Sequence, residues 1–254
     1  MLSIIILTYN QCEMTMRCLR SLDTLMRQDE ATEIVLVDNG STDDTAAALA
    51  TLDVAWRDRL RVLRQTDNLG VARGRNVGLR AARGDVLMLL DNDTIADADA
   101  IRHLRDRLAT DPTIGVIGCR LMSPQGDVQL SAKPFPSLRL KVRHFLRRGS
   151  VLPEELAEMA KEEPCYLIGA CQMFRREVRE RVGELDAAIF FGPEDADWCL
   201  RVRAAGWRIV YDPTVSITHD YRRATTRSFR ARFTRLTRLH ILALLHFWRC
   251  HGIR

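Results

Sequence analysis

Short apolar runs that end in polar residues recur along the first third of the chain, and helix-like stretches separate them. The runs cover residues 2–8, 34–37, 61–64 and 86–90. Strands buried on both faces of a parallel sheet give unbroken apolar runs of this length. Strand and helix alternate four times before residue 91. The pattern therefore predicts an α/β fold with a Rossmann-like, mostly parallel central sheet flanked by helices.

The same pattern continues further along the chain. We expect a helix at residues 97–109, a helix that ends near 205, and strands at 114–118, 166–174 and 207–210. Residues 133–164 differ, because they contain four prolines, a basic piece and then an acidic piece. About thirty residues cannot bury a core of their own. We therefore interpret this span as an insertion in one domain that covers residues 1–220.

Polar residues follow three of the predicted strands at the point where each strand ends. They are Thr8-Tyr9-Asn10, residues 38–43 and Asp91-Asn92-Asp93. Ligands of open α/β sheets bind in the crevice beyond these strand ends, and Mg²⁺ takes one or two protein carboxylates together with substrate phosphate oxygens. Asp91 and Asp93 are therefore candidate metal ligands. The alternative is that each cluster only caps the helix that follows it.

Two more segments carry candidate binding groups. One is a loop with Asn68, Gly70, Arg75 and Asn76. Small residues there admit a ligand closely, and an arginine can meet an anion. The other is the acidic pair Glu194 and Asp195, which follows the aromatic turn 190–193. Either carboxylate could act as a base toward an acceptor hydroxyl, or both could simply complement the dipole of a helix N-terminus.

Cysteine content and the amino terminus indicate a reducing compartment. The chain has seven cysteines and no C-x-x-C pair, which favours neither a disulfide framework nor a zinc site. The first residues lack a basic region and a small-residue cleavage site, and they are too few to span a bilayer. We therefore expect a cytoplasmic protein.

Residues 221–254 form a basic tail on an acidic body. The tail has nine arginines and no Asp or Glu, whereas the preceding residues carry 29 basic and 33 acidic side chains. Apolar or aromatic residues recur every three or four positions, at Phe229, Phe233, Leu236, His240, Leu244 and Phe247. The spacing predicts a basic amphipathic helix that lies on an anionic membrane surface. The alternative is a helix packed on the sheet or on a second subunit; nucleic acid is a third partner, disfavoured because no nucleic-acid fold signature accompanies the charge.

The polar segments occur in an order that resembles a known family. The series is Thr8-Tyr9-Asn10, Val37 to Asp43, Asn68 to Asn76, Asp91-Asn92-Asp93, Gly169-Ala170-Cys171 and Pro193 to Arg201. It is similar to family-2 inverting glycosyltransferases of the GT-A fold, and within them to the bacterial rhamnosyl- and galactofuranosyl-transferase branch. The resemblance covers residues 2–220, whereas the short tail departs from relatives with a longer carboxy-terminal region.

The resemblance implies a role for each segment. The residues implied to bind the nucleotide-sugar donor are Thr8, Tyr9, Asn10, Asp38, Asn39, Asn68, Gly70, Arg75, Asn76, Asp91 and Asn92. Asp38 is implied to lie near the nucleobase. Asp93, Asp91 and His219 are implied to hold Mg²⁺ or Mn²⁺. Asp195 is implied to be the catalytic base, with Glu194 as the adjacent alternative. Gly169, Ala170, Phe191 and Trp198 are implied to lie on the acceptor side.

Together these features predict a metal-dependent, inverting glycosyltransferase. It would move a sugar from a nucleotide-diphosphate donor to a hydroxyl of a glycan or lipid-linked glycan in cell-surface polysaccharide synthesis. It would act at the inner face of the membrane and could assemble as a homodimer. A nucleotidyltransferase would share the strand-end carboxylates but has no use for Glu194 and Asp195. A membrane or nucleic-acid adaptor would need only the tail.

Overall fold

The computed structural model describes residues 1–147, 151–221 and 235–252. Its strands are β1 Leu2–Thr8, β2 Thr32–Asp38, β3 Leu60–Arg64, β4 Val86–Asp91, β5 Thr94–Ile95, β6 Ile114–Met122, β7 Val128–Gln129, β8 Ala132–Lys133, β9 Tyr166–Leu167, β10 Cys171–Arg175 and β11 Arg208–His219. Its helices are α1 Cys12–Ser21, α2 Asp23–Gln28, α3 Thr45–Ala50, α4 Val71–Ala81, α5 Ala98–Thr110, α6 Leu138–Leu146, α7 Pro153–Met159, α8 Arg176–Val182, α9 Glu194–Ala204 and α10 Arg235–His251.

The first four long strands form a parallel half-sheet in the order β3-β2-β1-β4. Their register brings the strand ends together, since Thr8 is the partner of Asp38 and Leu7 is the partner of Asp91. The prediction that the polar clusters share one edge of the sheet is therefore confirmed. The mostly parallel α/β architecture is confirmed with it.

The other half of the sheet mixes directions. β10 runs antiparallel between β4 and β6, and β6 pairs in parallel with β11. The single strand predicted at 166–174 is in fact two strands, β9 and β10. β9 pairs with β8 in a separate small sheet, and a turn at residues 168–170 connects it to β10. β11 is also longer than predicted, because the chain continues past an irregularity at residues 212–216 and pairs with β6 again.

Helices cover both faces of the sheet. Side chains alternate along β1, so that Ile4 and Ile6 join one core cluster and Ile5 joins the other. The first cluster is completed by α1, α2, α3 and α5, and the second by α4, α8, α9 and α10. Burial on both faces accounts for the unbroken apolar runs in the sequence.

The predicted insertion begins and ends at the small β8–β9 sheet and contains α6 and α7. The predicted tail helix is α10, although it begins at Arg235; residues 222–234, including Phe229 and Phe233, lie outside the described residues. Leu244 and Phe247 of the predicted stripe pack into the second core cluster. In this part of the tail the apolar stripe therefore contacts the protein itself, which was the alternative to membrane contact.

Candidate functional site

The loops that follow β1 and β2 are bound to each other. Asn10 adopts a left-handed backbone conformation with φ of 53°. Its Oδ1 accepts a hydrogen bond from the Thr42 amide at 2.7 Å, and its own amide donates to Ser41 Oγ at 3.0 Å. Ser41 in turn donates its amide to Asp38 Oδ1 at 2.9 Å. The two loops therefore form one preformed surface at the carboxyl edge of the sheet.

Asp38 has an unused acceptor at this surface. Its side chain is 1% exposed, and Oδ2 has no hydrogen bond among the described residues. Arg64 Nε lies 3.6 Å from that oxygen, which is an ion-pair distance. A buried carboxylate oxygen without a hydrogen bond is costly, so a donor from a ligand would stabilise it. Tyr9 lies in the preceding loop with 43% of its surface exposed.

The loop before α4 is attached to the β2 loop through side-chain amides. Asn39 Nδ2 donates to Asn68 Oδ1 at 3.0 Å, and Asn39 Oδ1 accepts from the Leu69 amide at 3.1 Å. Asn68 Oδ1 also accepts from the Gly70 amide at 2.9 Å. Gly70 has φ of 82°, and a Cβ there would collide with Phe190. Glycine is thus required both for this turn and for the close approach of the aromatic segment.

Asp91, Asp93 and His219 form a candidate metal site at the end of β4. One ligand atom from each residue lies within 4.8 Å of the others. Asp93 Oδ1 is buried without a hydrogen bond in the described structure, and its 3.3 Å contact with His219 Nε2 lacks hydrogen-bond geometry. The two carboxylates suit Mg²⁺ or Mn²⁺, and the imidazole favours a transition-metal ion such as Mn²⁺. The residues therefore fit a divalent cation, which would satisfy the unpaired oxygen.

His219 is oriented by its second ring nitrogen. Nδ1 lies 2.8 Å from Gln129 Oε1, while Gln129 Nε2 donates to the His219 carbonyl oxygen at 2.8 Å. This arrangement directs Nε2 toward Asp93, as outer partners of metal-binding histidines commonly do. Burial disfavours the imidazolium, but the contact with Asp93 and the charges of Asp93 and Asp91 outweigh burial and raise the pKa of His219.

Arg75 connects the candidate metal site with the acidic turn. Its guanidinium is buried, with Nη2 2.5 Å from Asp91 Oδ1 and Nη1 3.3 Å from Glu194 Oε1. Nη2 also donates to the Gly169 carbonyl oxygen at 3.0 Å. A Cβ on Gly169 would collide with this guanidinium. Burial and the charge of Asp93 raise the pKa of Asp91, although Arg75 acts in the opposite direction.

Glu194 and Asp195 begin α9 but have different environments. Glu194 is buried, and its Oε2 accepts the Gly192 amide at 2.6 Å. Burial and the charge of Asp195 raise the pKa of Glu194 to about 7, although Arg75 opposes this. Asp195 is only partly buried, and its carboxylate accepts the Ala196 amide at 2.8 Å and the Gly169 amide at 3.3 Å. Of the two carboxylates, Asp195 is therefore the more accessible.

The sequence of the chain matches a known protein family. The model of the Glycosyl transferase family 2 matches residues 3–183. The chain belongs to this family. A relative from Mycobacterium tuberculosis, named N-acetylglucosaminyl-diphospho-decaprenol L-rhamnosyltransferase, is 28% identical over 245 residues, which is 89% of this chain and 78% of the relative.

Solved glycosyltransferase structures show the same GT-A fold. The mannosyltransferase PcManGT from Pyrobaculum calidifontis, in complex with GDP-Man and Mn²⁺, superposes with a TM-score of 0.63 at 24% identity, over 88% of this chain and 57% of that one. TarS from S. aureus with UDP-GlcNAc gives 0.60 at 19% identity, over 90% of this chain and 60% of that one. This chain thus covers little more than half the length of each of those two proteins.

Some residues predicted for the site of this glycosyltransferase have buried structural contacts instead. Asn92 Nδ2 donates to the hydroxyls of Thr8 and Thr15, at 3.3 and 3.0 Å. Asn76 bonds both backbone groups of Leu185, at 2.8 and 3.0 Å. Trp198 is 1% exposed and packs against Phe174 at 5.4 Å between ring centroids. Helix periodicity directs Asn76 and Trp198 inward, and the turn after β4 directs Asn92 inward, so all three side chains are buried within the protein.

The remaining acceptor-side predictions fall near Asp195 or at the surface. Gly169 donates its amide to Asp195, and the Ala170 carbonyl oxygen accepts the Asp91 amide at 3.1 Å. Phe191 is 36% exposed. The chain thus brings Gly169 and Ala170 between the two acidic segments.

Contacts from distant segments were missed by sequence reasoning. His240 Nδ1 lies 3.1 Å from the carbonyl oxygens of Phe191 and Gly192, immediately before the acidic pair. His246 and His251 reach Asp186 and Asp197, at 2.7 and 2.8 Å. From the sequence alone, we interpret His240 only as a member of the amphipathic stripe and assign no contact to His246 or His251.

Proposed function

We propose that the enzyme transfers a sugar from a nucleotide-diphosphate donor to an acceptor hydroxyl with inversion at the anomeric carbon. The donor would lie over the carboxyl ends of β1, β2 and β4. Asp38 Oδ2 would accept a hydrogen bond from the base, and the exposed Tyr9 ring would contact it. The observation that carries the proposal is the series of carboxylates from Asp38 through Asp91 and Asp93 to Asp195. In that order they offer groups to the nucleobase, the diphosphate and the acceptor.

Asp93, Asp91 and His219 would hold a divalent cation at the diphosphate. Such a cation would offset the negative charge that develops on the departing nucleoside diphosphate. Arg75 would keep the Asp91 carboxylate ionised and directed toward the cation, because its guanidinium contacts Asp91 at 2.5 Å. A buried arginine that also contacts Glu194 would fix the distance between the donor and the acceptor sides.

Asp195 would accept the proton of the attacking hydroxyl. It is partly exposed and receives hydrogen bonds from two backbone amides, those of Gly169 and Ala196. These bonds orient the carboxylate and leave lone pairs for the acceptor. Glu194 is less suited, because the Gly192 amide and Arg75 already contact its two oxygens. Inversion follows from direct attack with one base and no covalent intermediate.

The acceptor would be a glycan joined to a lipid, with the reaction at the inner face of the cell membrane. The name of the Mycobacterium tuberculosis relative specifies a diphospho-decaprenol acceptor. Ile241, Leu242 and Leu245 on the outer side of α10 are 51%, 61% and 55% exposed, and α10 contains no Asp or Glu. An exposed apolar face with basic neighbours suits an anionic membrane surface. In the described segments no helix is long and apolar enough to cross a bilayer.

A donor screen followed by product analysis tests this proposal. Thermal shift with nucleotide sugars, with and without Mn²⁺, identifies the donor, because a ligand of the native state raises the melting temperature. Nuclear magnetic resonance of the product then gives the anomeric configuration. Retention of configuration, or the absence of a metal-dependent shift with any nucleotide sugar, would contradict the proposal.

A further inference from the structure

Two lysines of the insertion have no carboxylate at ion-pair distance among the described residues. Lys133 is in β8, opposite Tyr166 of β9, and Lys141 is in α6. Both side chains are partly buried. Across residues 1–147, 151–221 and 235–252, neither lysine forms an ion pair or a side-chain hydrogen bond. Lys141 nevertheless interacts electrostatically with Lys133 and with Asp195.

Packing against α10 fixes the segment that joins the two lysines. Trp248 Nε1 donates to the Pro136 carbonyl oxygen at 2.8 Å, and the rings of Phe135 and Phe247 are 5.4 Å apart. Ser137 Oγ accepts the Leu140 amide at 3.2 Å at the start of α6. Contacts with α10 therefore hold the segment between the two lysines in place.

Two partly buried ammonium groups close together are unfavourable unless an anion joins them. Burial and the charge of Lys133 lower the pKa of Lys141 to about 8. The neighbouring carboxylates have other partners, since Glu155 contacts His144 at 3.1 Å and accepts the Leu152 amide at 3.0 Å. Asp195 is the proposed base. An anionic ligand is thus the group that this arrangement lacks.

We propose that Lys133 and Lys141 bind a phosphate group of the acceptor, and so place the sugar attached to that phosphate next to Asp195. This inference rests on the proposed function, because a lipid-linked glycan is joined to its lipid through phosphate. Two ammonium donors match the charge and the several acceptor oxygens of a phosphate or diphosphate.

The outer side of α6 suits the lipid that would follow the phosphate. Leu138, Val142 and Leu146 recur four residues apart and are exposed. They form a single stripe on the helix that carries Lys141. The phosphate of a membrane phospholipid has the same chemistry, so the experiment must separate the two sources.

Farnesyl diphosphate serves as the probe, with calorimetry on the full chain saturated with nucleoside diphosphate and Mn²⁺ so that the donor site is filled. We expect the wild-type protein to bind it, and Lys133→Gln or Lys141→Gln to weaken binding about tenfold or more, since each removes a charged hydrogen-bond donor. Lys141→Arg should retain most of the affinity. The matched control is Arg139→Gln, which removes an exposed charge from the same helix.

Several results would overturn the subsite. They are no binding of farnesyl diphosphate to the wild-type protein, equal loss in Arg139→Gln, or an equal loss of nucleoside-diphosphate affinity in the lysine variants. Lysine-dependent binding to phosphatidylglycerol vesicles without binding of the probe would assign the pair to phospholipid headgroups instead. Lysine-dependent binding of the probe by a protein that turns over no nucleotide sugar would contradict the proposed function and leave the subsite standing.

Discussion

The two sides of the candidate site are constructed differently. On the donor side, the loops after β1, after β2 and before α4 bind one another through polar residues such as Asn10, Ser41 and Asn39. On the acceptor side, the turn before α9 is held by groups from distant parts of the chain, including the His240 side chain and the Val71 amide, which donates to the Phe190 carbonyl oxygen. The parallel sheet thus determines where the donor-side loops lie, whereas packing of α6 and α10 forms the acceptor side.

This difference suggests that the sides can be altered separately. The donor side depends on strand ends in register, so a change there should affect nucleotide and metal binding. The acceptor side depends on helices packed over the second core cluster, so a change there should affect turnover or membrane contact and leave nucleotide affinity intact. Arg75 is the exception, because it contacts Asp91 on one side and Glu194 on the other.

The largest effect is expected for Asp93→Ala on the donor side. Loss of this carboxylate should abolish the effect of Mn²⁺ on nucleotide affinity and reduce turnover about 10²–10⁴-fold, as expected when several kcal/mol of metal-derived stabilisation are lost. Calorimetry with and without Mn²⁺ measures the first effect. Asp85→Ala, which removes an exposed aspartate at the opposite end of β4, is the control. Metal-dependent nucleotide binding by folded Asp93→Ala would refute the assignment.

A smaller effect is expected when the outer face of α10 is made polar. Leu242→Ser with Leu245→Ser should weaken binding to anionic vesicles about tenfold, because apolar area buried in the interface is lost. Vesicle co-sedimentation at several salt concentrations provides the measurement, and nucleotide affinity should not change. Val128→Ser, at an exposed valine of β7, is the control. Undiminished vesicle binding by the double variant would remove α10 as a membrane contact.

His240→Ala tests whether α10 positions the acidic turn. Burial and the charge of Lys141 lower the pKa of His240, so the ring is neutral at pH 7 and Nδ1–H can donate to the Phe191 and Gly192 carbonyl oxygens. Loss of this bond should lower kcat about fivefold, in line with the net value of a hydrogen bond. Nucleotide affinity should stay constant. An equal fall in nucleotide affinity would mean that the two sides are not separable.

The smallest effect is a pH-dependent change in stability from Glu194. The pKa of Glu194 is about 7 in the folded protein, compared with 4.5 for an unperturbed glutamate. Between these pH values the folded state therefore binds a proton that the unfolded state does not. The stability that this carboxyl contributes is therefore present below pH 4.5 and lost as pH rises to 7. The melting temperature of Glu194→Gln relative to wild type should rise over that interval and level off above it. A difference that does not vary with pH would contradict the buried environment.

The features that could be predicted from the sequence depend on residues that lie close together along the chain. Asp91 and Asp93 end an apolar run, and the parallel register that joins them to Asp38 follows from the repeating strand–helix pattern. Asn76, Asn92 and Trp198 occur in the same motifs, but helix and turn geometry directs their side chains inward, which spacing alone does not reveal. The contact of His240 with the acidic turn joins residues 48 and 49 positions apart. Such contacts depend on tertiary packing and had no local signal.

The central claim is that Asp195 acts in the chemical step while the donor binds elsewhere. The most direct measurement is the nucleotide-sugar dissociation constant and the single-turnover rate of Asp195→Asn, with Glu194→Gln beside it. Asparagine keeps the shape and cannot accept the proton, so we predict a loss of about 10²–10⁴-fold in rate and an unchanged dissociation constant. Normal turnover by Asp195→Asn, or a loss that appears in donor affinity instead of rate, would contradict the account.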